Sequence, residues 1–121
     1  MEGRILIVED NPVIADLISW RLTEMGYSIA GVAEDSTEAI NRAEKEKPVL
    51  ILMDIGLPGE MDGIDTAAEI IRLYNIPIVY ISSILDPPVI ERAKKTGPRG
   101  YIVKPFTDNQ LRATVEMALQ D

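Results

Sequence analysis

The sequence predicts a doubly wound α/β domain built on a parallel sheet, and three observations carry that prediction. Short β-branched runs alternate five times with segments of helical periodicity. Most of the runs are continuously apolar, as expected of strands covered by helices on both faces; a sheet with one wet face would alternate instead. No low-complexity linker interrupts the 121 residues, a length that suits one domain, so residues 1–121 are read as a single unit.

The elements follow in order. Arg4 to Val8 is the first strand candidate. Asn11-Pro12 then places an N-cap residue before a proline suited to the first helical turn. Ile14, Leu17, Ile18, Leu22 and Met25 fall on one face of that helix, and Gly26 ends it. Trp20 lies one position off this stripe; of two readings, a partner-facing anchor and a partly buried packing residue, the second is expected, as tryptophan is usually buried. Tyr27 to Val32 is the second strand. A second helix is expected from near Ser36 to just before Pro48, with Ala39, Ile40 and Ala43 as its buried stripe. Val49 to Met53 forms the third strand, a helix runs from about Gly63 to Tyr74, and Ile78 to Ile81 is the fourth strand. Asp86-Pro87-Pro88 opens a fourth helix that closes at Gly97-Pro98, and Gly100 to Val103 is the fifth strand. Thr107 with Gln110 makes a capping-box pattern for the fifth helix. Glu44-Lys45-Glu46-Lys47 and Lys94-Lys95 read as solvated helix faces.

Composition narrows the chemistry. Hydrophobic residues make up 46% and charged residues 26%, the balance of a chain with a packed core. Net charge is −8 and no Lys/Arg run offers a local exception, so direct nucleic-acid binding is not expected. The apolar runs are far shorter than the ~20 residues of a membrane helix. Met1-Glu2-Gly3-Arg4 enters the first strand without a secretory signal, so a cytoplasmic location without membrane contact is expected. The absence of Cys and His removes thiol and Ser-His nucleophiles, thiolate or imidazole zinc sites and disulfides. Carboxylate, hydroxyl and amine chemistry remains.

Ligands of parallel α/β sheets bind outside the carboxyl ends of the strands. Those ends are polar here: Glu9-Asp10 after the first strand, Asp54 after the third, Ser82-Ser83 after the fourth and Lys104-Pro105 after the fifth. Any one of them is ordinary where a strand meets solvent; together they bring three carboxylates, a hydroxyl and an amine to one edge. Two carboxylates ~4 Å apart repel by about 4 kcal/mol at an effective dielectric near 20. A divalent cation would offset this, and an all-oxygen site suits Mg²⁺. Such an ion would also clamp an incoming phosphoryl group, with Asp54 as nucleophile, Lys104 as a point charge and Ser82 as a hydrogen-bond donor. A flavin or nucleotide module of similar topology is disfavoured, because Glu9-Asp10-Asn11-Pro12 would repel phosphate where such sites want a Gly- or Ser-rich loop.

Four ordered motifs resemble the receiver domain of two-component response regulators over essentially the whole chain. They are Ile5-Leu6-Ile7-Val8-Glu9-Asp10-Asn11; Met53-Asp54-Ile55-Gly56-Leu57-Pro58 with Asp62-Gly63; Tyr80-Ile81-Ser82-Ser83; and Gly100-Tyr101-Ile102-Val103-Lys104-Pro105-Phe106. The resemblance implies a flavodoxin-like three-layer sandwich with strand order 2-1-3-4-5, an order that the strand ends alone do not establish. It implies Asp54 as phosphoacceptor, Glu9, Asp10, Asp54 and the Gly56 carbonyl as the Mg²⁺ site, and Lys104 as the family lysine. Ser82 matches the switch hydroxyl, and Tyr101, three residues before Lys104, the aromatic that changes rotamer with it. It further implies a signalling switch that catalyses its own phosphorylation and dephosphorylation rather than a metabolic reaction. The implied partners are a sensor histidine kinase or phosphotransfer protein as donor and an effector protein or attached output domain as reader. The face read, and a route to homodimers, would be that of the fourth helix, fifth strand and fifth helix. Three features depart from the family pattern: a loop from Pro58 to Gly63 one residue longer than the commonest form, Ser83 where alanine is frequent, and a proline in Gly97-Pro98-Arg99-Gly100.

Overall fold

Alternation along the strands decides which helices cover which face. In the computed structural model, which describes residues 3–84 and 86–120, the five apolar runs are β1 (Arg4–Val8), β2 (Ser28–Ala33), β3 (Leu50–Asp54), β4 (Ile78–Ser82) and β5 (Gly100–Val103). Every pairing is parallel and the order is β2-β1-β3-β4-β5. Met1 and Glu2, part of the start read above, lie outside the described residues. Between the strands run α1 (Pro12–Glu24), α2 (Ser36–Glu46), α3 (Gly63–Tyr74), α4 (Pro87–Lys95) and α5 (Asp108–Ala118). Because successive side chains point to opposite faces, Ile5, Ile7, Leu50, Leu52, Val79 and Ile81 pack with Ile18 and Leu22 of α1 and with Leu111 and Val115 of α5. The intervening Leu6, Val8, Ile51, Met53 and Tyr80 pack with Ala39 and Ala43 of α2, Ile64, Ala67 and Ile70 of α3, and Ala93 of α4. Three layers result, with α1 and α5 on one side and α2, α3 and α4 on the other.

Local chemistry starts and stops the helices. The Asn11 side chain accepts hydrogen bonds from the N–H groups of Val13 (2.9 Å) and Ile14 (3.4 Å). Asp35 caps α2, and the expected box of Thr107 with Gln110 closes reciprocally at α5. Past α1, Gly26 takes φ +98, a left-handed conformation that a side chain would disfavour.

Several boundaries differ from the sequence reading. Both β2 and β3 begin and end one residue later than expected, and β4 gains Ser82, because the parallel ladder extends to Asp54 opposite Ile81 and Ser82 opposite Val103. Two of the chemically interesting side chains therefore lie on strand ends rather than in loops. On α1 the buried residues are Ala15, Ile18 and Leu22, with Ile14 and Met25 half-buried. Leu17, expected inside, is 44% exposed, and Trp20, expected to be partly buried in packing, is 55% exposed. Val13, Leu17 and Trp20 recur at spacings of four and three, so they share a second, outward face of the same helix. The Arg21 guanidinium lies 4.7 Å from the Trp20 ring centroid. Glu46, read as solvated, pairs with Arg4. Among the described residues no helix is long and apolar enough to cross a membrane.

Candidate functional site

The pairing of β1 with β3 creates the site. Val8 lies opposite Met53, so the residues that follow on each strand, Glu9-Asp10 and Asp54, come side by side at the carboxyl end of the sheet. Glu9 and Asp54 are buried, at 3% and 7% exposure, whereas Asp10 reaches solvent. One carboxylate oxygen from each of the three lies within 4.8 Å of the others. At that separation each pair repels by about 3–4 kcal/mol with an effective dielectric near 20. Burial accordingly pushes the Glu9 carboxyl above its usual range and the Asp54 charge adds to the push, while hydrogen bonds from Lys104 and the Asn11 N–H work against it.

A single ammonium offsets part of this charge. Lys104 Nζ donates to Glu9 Oε1 at 2.9 Å and lies 3.6 Å from Asp54 Oδ1. Its own backbone N–H bonds the Ser82 carbonyl (2.9 Å), which carries it across from β5 to β4. Three carboxylates against one ammonium leave an acidic, oxygen-lined pocket, and such a donor set fits Mg²⁺. The Gly56 N–H bonds Asp54 Oδ1 (3.2 Å), so the loop leaving β3 folds back onto the carboxylate it follows.

Ser82 and Tyr101 meet at the backbone of Ile84. The buried Ser82 Oγ accepts from the Ile84 N–H at 2.9 Å, and the Tyr101 hydroxyl donates to the Ile84 carbonyl at 2.7 Å. The two side chains thus hold one residue, Ser82 through its N–H and Tyr101 through its carbonyl. The Tyr101 ring is half-buried, 6.3 Å from the ring of the fully buried Tyr80. Ser83, the departure noted above, is exposed.

Other supports carry no assigned role in the sequence reading. Gly63 donates to the Ile55 carbonyl (2.8 Å), and a Cβ built on it would lie 2.0 Å from the Asp54 carbonyl oxygen. Only glycine lets α3 start against the end of β3. Asp62 caps that helix in a reciprocal box with Asp65, and Arg92 of α4 forks onto Asp62 at 3.1 and 3.4 Å and reaches Asp65 at 3.1 Å. Burial alone would raise the Asp62 pKa, but the Asp65 N–H and Arg92 outweigh it and hold the carboxyl below the usual aspartate range. Asp62-Gly63 is visible in the sequence as a motif, and a D-x-x-D spacing signals the cap. Nothing local points to Arg92, thirty residues away.

The structure therefore brings Glu9, Asp10, Asp54 and Lys104 into one pocket, places Gly56 on its rim, and ties Ser82 to Tyr101 through Ile84. The profile of the response regulator receiver domain matches residues 5–116. The chain is 40% identical to the transcriptional regulatory protein PdtaR of Mycobacterium tuberculosis over 96% of its own length and 56% of that protein's. It thus spans about half the length of this curated relative. It is 34% identical to the chemotaxis protein CheY of Thermotoga maritima, covering 92% of each chain. Among solved structures, the signal receiver domain of a modulated diguanylate cyclase from Desulfovibrio desulfuricans G20 superposes with a TM-score of 0.92 at 36% identity, covering 98% of this chain and 94% of that one. A CheY-like receiver domain protein from Methanospirillum hungatei gives 0.91 at 26% identity, covering 98% and 94%.

Proposed function

The chain belongs to the response regulator receiver domain family of two-component signalling, and from that premise we propose that Asp54 accepts a phosphoryl group from a phosphohistidine donor. The observation that carries this reading is the convergence of three carboxylate oxygens within 4.8 Å with Lys104 Nζ 2.9 and 3.6 Å from two of the carboxylates. An Asp54 carboxylate oxygen forms the new bond to phosphorus, the phosphorus–nitrogen bond breaks, and the imidazole leaves as the neutral ring after taking up a proton. Lys104 draws a phosphoryl oxygen by its charge, and Ser82 donates its hydroxyl to another. Glu9, Asp10, Asp54 and the Gly56 carbonyl would hold Mg²⁺, which when bound neutralises the pocket and the transferring group.

The output follows from Ser82. Turning its hydroxyl toward the new phosphoryl group withdraws the acceptor from the Ile84 N–H, and Tyr101, bonded to the carbonyl of the same residue, feels the change. The surface of α4, β5 and α5 is then altered for an effector, an attached output domain or a second copy. On the donor side, an apolar groove lined by Ile14, Leu17, Pro105 and Phe106 opens beside Lys104, giving a protein donor a surface to rest on. The test is intact mass after incubation with Mg²⁺ and acetyl phosphate. A gain of one phosphoryl mass that Asp54→Asn abolishes is expected; no gain, or a gain that persists in the variant, removes the proposal.

A further inference from the structure

We infer that Arg92 is a positioning residue for the phosphoacceptor loop, an ionic latch through which the location of α4 and the geometry around Asp54 set one another. The inference builds on the phosphoacceptor reading for its purpose, although its first test does not require it.

The helix α4 is lightly held. Ala93 is its one buried residue, its N-cap Asp86 makes no side-chain capping bond, and two prolines open it. Among the described residues two polar pins fix it to the body: the Thr96 hydroxyl at its C-terminus, 2.7 Å from the buried Tyr80 hydroxyl, and the Arg92 fork on Asp62 and Asp65. The second pin does not end at a passive surface. Asp62 is the cap of α3, and the next residue, Gly63, is pressed against the Asp54 carbonyl and bonded to the Ile55 carbonyl. Residues 54–63 therefore form a loop closed at its base, with Gly56 bonded to the Asp54 carboxylate inside it. Arg92 grips that base from outside. If α4 moves, the cap is released or dragged; if the loop tightens on an ion or phosphoryl group, the grip is reinforced or broken. By linkage the effect runs equally both ways.

The pair is partly exposed, at 46% for Arg92 and 33% for Asp62, so the coupling is modest and salt-sensitive. Its sign separates positioning from simple charge. Removing a positive charge near an acidic pocket would by attraction alone tighten Mg²⁺ binding, whereas a loosened loop weakens it.

The experiment uses amide hydrogen exchange and Mg²⁺ titration on the unphosphorylated full chain, comparing wild type, Arg92→Ala and Arg92→Lys. Arg92→Ala is expected to speed exchange both in α4 and across residues 56–65, with α1 and α5 unchanged. High salt should reproduce the pattern in wild type and add little to the variant. Mg²⁺ affinity should fall roughly two- to fivefold, the range an exposed ion pair supports. Arg92→Lys should lie between, because it restores the charge without the fork. Exchange that rises in α4 alone, or Mg²⁺ affinity that rises in Arg92→Ala, overturns the inference. These outcomes do not depend on whether Asp54 takes a phosphoryl group, so failure of the mass test and failure of the latch are read separately.

Discussion

Gly63 shows how much a missing side chain can specify. A Cβ there would lie 2.0 Å from the Asp54 carbonyl oxygen and 2.7 Å from the Ile55 Cα, and both are backbone atoms that cannot swing away. Gly63→Ala is therefore expected to destabilise the fold by about 3 kcal/mol and to lower the yield of Asp54 phosphorylation even where the protein remains folded. Urea unfolding and intact mass check the two effects. Asp10 presents the opposite case, a side chain whose charge burdens the resting protein. Asp10→Asn should raise metal-free stability by up to about 1 kcal/mol, solvent screening having reduced the repulsion, and should weaken Mg²⁺ binding. Thermal melts with and without Mg²⁺ would show the crossing; a variant less stable without metal would contradict the crowding argument. Single residues were the most legible level of the sequence, because Glu9, Asp10, Asp54 and Lys104 are polar groups ending apolar runs. Arg92 was not legible, since on an exposed helix face it looks like any solvated cation.

At the scale of elements, β1, β5 and α3 keep the bounds expected from the sequence, and the capping box of Thr107 with Gln110 is present. Apolar continuity marks these strands and cap chemistry these helices, and both are local signals. Helix α1 shows where such signals run out. It carries two apolar faces, Ile14, Ile18 and Leu22 toward the sheet and Val13, Leu17 and Trp20 away from it. Periodicity alone does not say where one face ends and the other begins, so Leu17 reads as inward and Trp20 as packing although both are exposed. Trp20→Ala is accordingly expected to change stability by no more than about 0.5 kcal/mol, as an exposed substitution should. The indole should fluoresce as a solvated group, and a large loss of stability would show instead that the side chain packs. The strand order came from resemblance and not from the strand ends, because order is a matter of non-local pairing that apolarity within each strand does not record.

For the molecule as a whole, pH exposes how distant parts share one balance. Asp62 ionises below the usual aspartate range, so in moderate acid the unfolded chain binds more protons there than the folded one, and stability rises with pH. The contribution is fully present above the usual aspartate value, near pH 4, and is lost as pH falls through the lower folded value. Asp62→Asn keeps a capping side chain while removing the charge, so it should cost less than about 1 kcal/mol at pH 7 and progressively less as acid protonates the folded Asp62. Urea midpoints across an acid series check this; a deficit that stays the same throughout would mean the charge is irrelevant. Residue Ile84, held at its backbone N–H by Ser82 and at its carbonyl by Tyr101, gives the same whole-molecule balance a spectroscopic address. One nuclear resonance, the ¹⁵N–¹H signal of that amide, would shift whenever the serine hydroxyl swings away. A single labelled site could thus follow, in real time and without any downstream binder, the fraction of molecules that have left the resting arrangement.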